Sequence, residues 1–388
     1  MFYLPVDGQV GSKFAEVNNL VRKKDENGNN IGGYLDPEKR NIKAMKLRGE
    51  QSDGLVLPLS SLELFTDISA LKIGDQITVL NGEMICQKYI PKRNCSKHRS
   101  GVAKKKKTNN YPIFKEHVDT SQLAYNMSKF KPGDECVITL KMHGSSGRTG
   151  YTLEEHTNPP SFLQKLFKKQ PQKIKQWKDI SGSRRVVLEE FDDSGYYKDN
   201  AFRKKWHDFF SGKLYKGETV YYEIVGYVSK GKPIMASCNN GKVQDKEFRK
   251  QYGKETVFSY GCEDGECHAY VYRITLTNED GYTVEYPDSI MRLRCEQMGA
   301  DCVPLLDKFT YTTEEDLLER VNRLQEGPDP IGKTHVREGV VVRIENRLDF
   351  SVYKSKNFYF KVLEGIVKDL SETPDIEEEQ ELIVQEET

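Results

Sequence analysis

Short apolar runs alternating with polar residues and turn residues fill the first hundred positions, a pattern that predicts a module built mostly of β-strands. Between residues 41 and 59, IKAMKLRGEQSDGLVLPL reads as two strands around a glycine-containing turn, and QITVLNGEMICQKYI reads as a hairpin across Asn81 and Gly82. Such a module suits a small barrel. After Tyr111 the periodicity mixes types. Strands are predicted at CVITLKMHG, RRVVLEE, VYYEIVGYV, AYVYRITLT and EGVVVRIE, and helices at SFLQKLFKKQ and TEEDLLERVNRLQ. Strands separated by helices and long insertions predict an α+β domain.

Composition adds two bounds. A chain of 388 residues is long enough for two globular domains, each with its own core. Its 59 Lys+Arg balance 59 Asp+Glu, so no global field attracts nucleic acid and any basic surface must be local. One such stretch is PKRNCSKHRSGVAKKKKT, with Lys92, Arg93, Lys97, Arg99 and the lysines 104–107, which reads as a linker, either a solvated loop or a contact with phosphates. From Ser371 onward SETPDIEEEQELIVQEET carries many acids and no base, which predicts a disordered or weakly helical tail. There is no long apolar run, and MFYLPVDGQVGSKF lacks the features of a secretory signal, so a soluble, cytoplasmic or otherwise intracellular protein without membrane contact is expected. The eight cysteines form no CxxC pair. Cys262, Cys267 and His268 in GCEDGECH have poor spacing for zinc, and reduced thiols are expected.

The stretch TLKMHGSSGRTGY holds the candidate chemistry: a predicted strand delivers Lys141 just before glycines 144, 147 and 150. A lysine on a strand is ordinarily solvated. Backbone without Cβ atoms, however, can approach a nucleotide phosphate closely. Downstream, in order, come Glu223 in VYYEIVGY, the aromatic strand AYVYRIT, Glu338 in REGVVVR, and Lys354 and Lys356 in VYKSKNF. With these residues the chain resembles the covalent nucleotidyltransferase superfamily of nucleic-acid ligases and capping enzymes, whose motifs are Lys-x-x-Gly, a glutamate on a strand, Glu-Gly-Val-Val and Lys-x-Lys.

The resemblance implies that Lys141 attacks the α-phosphorus of ATP and carries AMP. Attack needs a neutral amine, whereas a free lysine with pKa about 10.4 is almost wholly ammonium at pH 7. A divalent metal (Mn²⁺ or Mg²⁺), helped by Lys354 and Lys356, is expected to favour the neutral form and to neutralise phosphate charge. Glu338 and Glu223 are the expected metal residues, directly or through water. By resemblance Glu223 also meets the ribose and Tyr270 or Tyr272 stacks on adenine, although an aromatic stripe is equally ordinary core. Ser183 and Arg184 in GSRRVVLEE, and Arg148 in the glycine-rich turn, are the expected contacts with the RNA end.

About thirty residues follow Lys356, too few for the C-terminal barrel of DNA ligases and capping enzymes. With the β-rich module in front, the chain is similar to the Deinococcus-type RNA ligases (RNA ligase family five) over residues 1–368, notably in KLRGEQSDGLVLPL, the EHVDT stretch with His117 and Asp119, and GSRRVV. That resemblance implies an α+β fold: an N-terminal OB-like β-barrel with basic linker (1–108), an ATP-grasp-like nucleotidyltransferase (ligase) domain of antiparallel sheets and helices (109–370), and an acidic tail (371–388). The implied activity is ATP-dependent sealing of 3′-OH/5′-phosphate breaks in RNA, in a nicked duplex, by a monomer. His143 stands where most ligases carry Asp, and a neutral imidazole brings no negative charge to a metal. The alternatives are a GTP-dependent RNA capping guanylyltransferase and a catalytically inactive, ligase-like nucleic-acid-binding protein.

Overall fold

A computed structural model describes residues 1–365 apart from 6–7, 27, 29, 44, 48–49, 53, 89–109, 159–171, 193–196 and 348. The basic linker, the helix expected at SFLQKLFKKQ and the acidic tail lie outside the described residues. The chain divides into two units. One joins Met1–Lys104 with Gly241–Arg249 and Lys361–Thr388; the other joins Lys105–Asn240 with Lys250–Phe360. Among the described residues no helix is long and apolar enough to cross a membrane.

In the first unit, Phe2–Pro5 pairs with Gly54–Leu57, Gly8–Val10 with Cys86–Lys88, and Met45–Leu47 with Glu50–Ser52. The hairpin at Asn81 and Gly82 is present, with φ of +47° and +82°, the left-handed pair that matches strand twist across a two-residue turn. Leu4, Val10, Phe14, Leu62 and Ile85 form a fully buried core. The expected barrel differs from what is seen: these strands pair as separate two-stranded ladders among the described residues. They span only two to four residues, and part of the apolar pattern goes instead into the helix Ser12–Val17 and the 3₁₀ turn Leu59–Leu62, leaving too little strand for a closed ladder.

The second unit carries two sheets. We number its strands β1 (Ser121–Gln122), β2 (Glu135–Lys141), β3 (Ser145–Asn158), β4 (Gln172–Gly182), β5 (Val187–Leu188), β6 (Glu218–Ser229), β7 (Cys267–Thr277), β8 (Thr283–Glu285), β9 (Leu305–Thr310), β10 (Gly339–Ile344) and β11 (Ser351–Lys356). Its helices are α1 (Ala201–Phe210), α2 (Asp288–Met298) and α3 (Glu314–Gln325). Sheet one has the order β1-β11-β10-β2-β9 and sheet two the order β5-β4-β3-β6-β7-β8; β1 runs parallel to β11 and the other pairings along both orders are antiparallel.

Alternation decides which face of each sheet is apolar. Cys136 and Ile138 from β2, with Val340, Val342 and Ile344 from β10, bury one face of sheet one against Leu317 and Val321 of α3. That helix matches TEEDLLERVNRLQ and is capped by Thr313, whose hydroxyl accepts from the Asp316 amide at 3.3 Å. On sheet two, Val220, Tyr222 and Ile224 of β6 pack on Phe202, Trp206 and Phe210 of α1 and on Met291 and Met298 of α2. Apolar periodicity in the sequence singles out neither α1 nor α2. The fully buried Glu218 accepts from Arg294 Nε at 2.9 Å and so fixes α2 against β6. The two sheets are tied by Arg273, whose guanidinium lies 4.5 Å from the Tyr221 ring and 4.3 Å from the Phe350 ring.

Candidate active site

Three neighbouring strands of sheet one present the lysines. Gly339 on β10 pairs with Lys141 on β2 and with Lys356 on β11, so the two lysines flank one glycine. Glycine is required there: φ is +150°, and a Cβ would lie 2.1 Å from the Ser355 carbonyl oxygen. The preceding residue, Glu338, is 1% exposed. Its Oε1 accepts from Lys141 Nζ at 2.5 Å and lies 3.3 Å from Lys356 Nζ. Burial pushes this carboxyl up, but the positive charge around it, Lys141 foremost, outweighs that and holds it below its usual range. Lys354 shares a face of β11 with Lys356, and burial together with Lys141, Lys356 and Arg184 lowers its pKa.

Sheet two presents Glu223. It stands directly opposite Ser146 on β3 and Tyr270 on β7, so the three side chains share one face. Ser146 Oγ donates to Glu223 Oε2 at 3.1 Å. Burial pushes the Glu223 carboxyl up to about 7, with Lys141 pulling the other way and Glu338 adding to the rise. The structure therefore gathers Lys141, Glu338, Lys354, Lys356 and Glu223 into one cluster spanning both sheets.

His143 follows two residues after Lys141 on chain leaving β2. Its amide donates to Tyr260 Oη at 2.7 Å, and its ring meets Phe258 and Phe360 edge-on at 4.7 and 4.8 Å. Burial lowers its pKa to about 4, so it is neutral at pH 7. Tyr260, which sequence reasoning missed, holds φ +53° beside Gly261 at +80° and packs edge-on against the buried His335 at 4.4 Å.

The other expected residues are placed less uniformly. Tyr270 is half-buried, with the His268 ring 4.8 Å away, and burial raises its phenol to about 12. Tyr272 falls at a register shift between β6 and β7, and its hydroxyl contacts the His117 ring. Arg184 is exposed and pairs with Asp119, Nε to Oδ1 at 3.1 Å, at the edge of the lysine cluster. Ser183 Oγ accepts from the Val186 amide at 3.3 Å and shapes the turn into β5.

Arg148 departs from an exposed RNA contact: it is 1% exposed, donates to the Arg184 carbonyl at 2.8 Å and lies 4.6 Å from the Phe114 ring. It supports the segment that carries Arg184. Cys262, Cys267 and His268 make no metal-ligating group among the described residues; His268 Nε2 meets Asp301 Oδ2 at 2.7 Å.

A lysine paired with a buried glutamate, a second glutamate opposite it and two further lysines suit covalent transfer at phosphorus. The model of the RNA ligase family matches residues 134–363, more than half of the sequence and every residue of the cluster. The chain belongs to the RNA ligase family. The match favours ligase over the capping alternative. Among solved structures, a lysine-to-methionine variant of the Naegleria gruberi RNA ligase with AMP and Mn is 15% identical, with a TM-score of 0.51 over 94% of this chain and 85% of that one. A glutamate-to-alanine variant of the same enzyme with ATP and Mn is 16% identical, with a TM-score of 0.50 over 94% and 86%. At that identity the likeness concerns the fold. No curated protein matches the chain.

Proposed function

We propose that the chain is an ATP-dependent RNA ligase working through a lysyl-AMP on Lys141. The observation that carries this reading is the Lys141–Glu338–Lys356 arrangement, with Glu223 facing it from the second sheet. Lys141 Nζ forms a bond to the α-phosphorus of ATP as the bond to pyrophosphate breaks. AMP then passes to a 5′-phosphate end, and the 3′-OH of the adjoining strand attacks that phosphate and expels AMP. Lys354 and Lys356 place positive charge against the phosphates, Glu223 holds the ribose, and Tyr270, level with Glu223, is the better placed of the two tyrosines for adenine, since the hydroxyl of Tyr272 is engaged by His117.

The cluster also fits a divalent cation. Glu338 Oε2 is buried without a hydrogen-bond partner among the described residues, and Glu223 supplies a second carboxylate nearby. When bound, such an ion (Mn²⁺ or Mg²⁺) supplies positive charge at the phosphates. Lys141 in turn must leave its ion pair with Glu338 and lose a proton before it can attack. His143, neutral here, contributes no negative charge to the ion.

The proposed substrate is RNA with a 3′-OH and a 5′-phosphate, in a nicked duplex, with Arg184 and Ser183 of the catalytic domain (109–370) beside the end and the β-rich first unit (within 1–108) gripping the duplex. A sealing assay with RNA or DNA on each side of a nick tests this. Joining should require RNA at the 3′-OH side and ATP. Equal sealing of all-DNA nicks would contradict the RNA assignment, and labelling by GTP in place of ATP would restore the capping alternative.

A further inference from the structure

Arg203 stands on α1, behind sheet two, and is 8% exposed. Its Nη1 donates to the Ser146 carbonyl at 3.1 Å and its Nη2 to Ser145 Oγ at 2.5 Å. Its guanidinium also lies 5.0 Å from the Phe202 ring. Among the described residues no carboxylate forms an ion pair with it. A guanidinium withdrawn from water with no carboxylate in contact, Glu223 acting on it through space, is costly, and an apolar side chain would fill the space between helix and sheet more cheaply. Packing therefore does not account for it.

What the charge obtains is a grip on the start of β3, just after the turn that leaves Lys141. Ser145 faces α1 along with Ile224, its partner across the strands, whereas Ser146 faces the other way along with Glu223. Arg203 holds the backbone of Ser146 from behind, and the Ser146 hydroxyl reaches forward to Glu223 Oε2 at 3.1 Å. A gap or tilt at Ser146 would swing that hydroxyl away and leave the Glu223 carboxylate with one restraint fewer, the Gly144 amide remaining. We infer that Arg203 is a positioning residue for nucleotide binding, holding Glu223 in place through Ser146 without touching the nucleotide; this rests on Glu223 as the ribose contact proposed above.

The test is the ATP dependence of lysyl-AMP formation in the full chain. Arg203→Gln raises KM for ATP by about tenfold, the scale of losing charge-assisted hydrogen bonds, while the rate at saturating ATP stays within about threefold. Arg203→Lys keeps the charge but not the planar fork and falls between parent and Gln. In a Glu223→Ala background, Arg203→Gln adds no more than about twofold, because the two act in series. A fall in rate with KM unchanged, or full additivity with Glu223→Ala, overturns the inference. Should Arg203→Gln fail to fold, Ser145→Ala removes one acceptor and shifts KM in the same direction by a smaller factor; parental KM in that variant overturns it equally. A parent that forms no lysyl-AMP refutes the ligase reading itself, and the inference with it. A parent that does so with indifferent variants refutes only the role of Arg203.

Discussion

Glu338 sets one buried negative charge against the Lys141 and Lys356 ammonium groups and, among the described residues, leaves one oxygen unpartnered. Glu223, on the second sheet, has no cation in hydrogen-bond contact among the described residues and is pushed toward neutrality by burial. Two glutamates in one site thus answer to pH differently. The Glu223 carboxyl rises from 4.5 unfolded to about 7 folded, so the native chain holds that proton more tightly. Its contribution favours the folded state below 4.5 and is lost as pH rises through 7. Thermal midpoints taken from pH 5 to 8 should fall more steeply for the parent than for Glu223→Gln; parallel curves would mean that the carboxyl is not perturbed. Lys141, Glu223, Glu338, Lys354 and Lys356 were legible in the sequence because each sits in a short motif on a strand or, for Glu338, just before one. Arg203 and Tyr260 were not, since they reach the site from a helix and from an irregular segment whose placement is set by tertiary packing.

At the scale of elements, the lysine pair depends on how closely β10 lies between β2 and β11. Gly339→Ala brings a Cβ to 2.1 Å from the Ser355 carbonyl oxygen and 2.8 Å from the Lys356 Cα, at a φ that side chains avoid. We expect a loss of about 2–4 kcal/mol in urea denaturation, together with a marked drop in lysyl-AMP formation, as backbone shifts move Lys356. Unchanged stability would show that the strands yield there at little cost. The long strands at β6, β7 and β10 were readable from their apolar and β-branched runs. RRVVLEE yields only the two-residue β5, since the Ser183 turn and the exposed charges on either side leave little to bury. The hairpin at Asn81 and Gly82 was fixed by local chemistry, whereas barrel closure depends on long-range pairing that short runs do not specify.

Across the whole molecule, the cluster lies entirely in the second unit, within the stretch matched by the RNA ligase family. Self-adenylylation and nick sealing should therefore separate. Removing residues 1–104 should weaken joining of a nicked duplex by tenfold or more, an order-of-magnitude estimate for losing a duplex contact, while lysyl-AMP formation falls far less. Equal losses in both steps would argue that the first unit stabilises the catalytic unit instead of gripping RNA. The most direct measurement of the central claim is covalent labelling of the protein by ATP carrying a radioactive α-phosphate, for the parent and for Lys141→Ala. An acid-labile, base-stable label is expected on the parent and none on the variant; label persisting on Lys141→Ala would contradict a lysyl-AMP at that position.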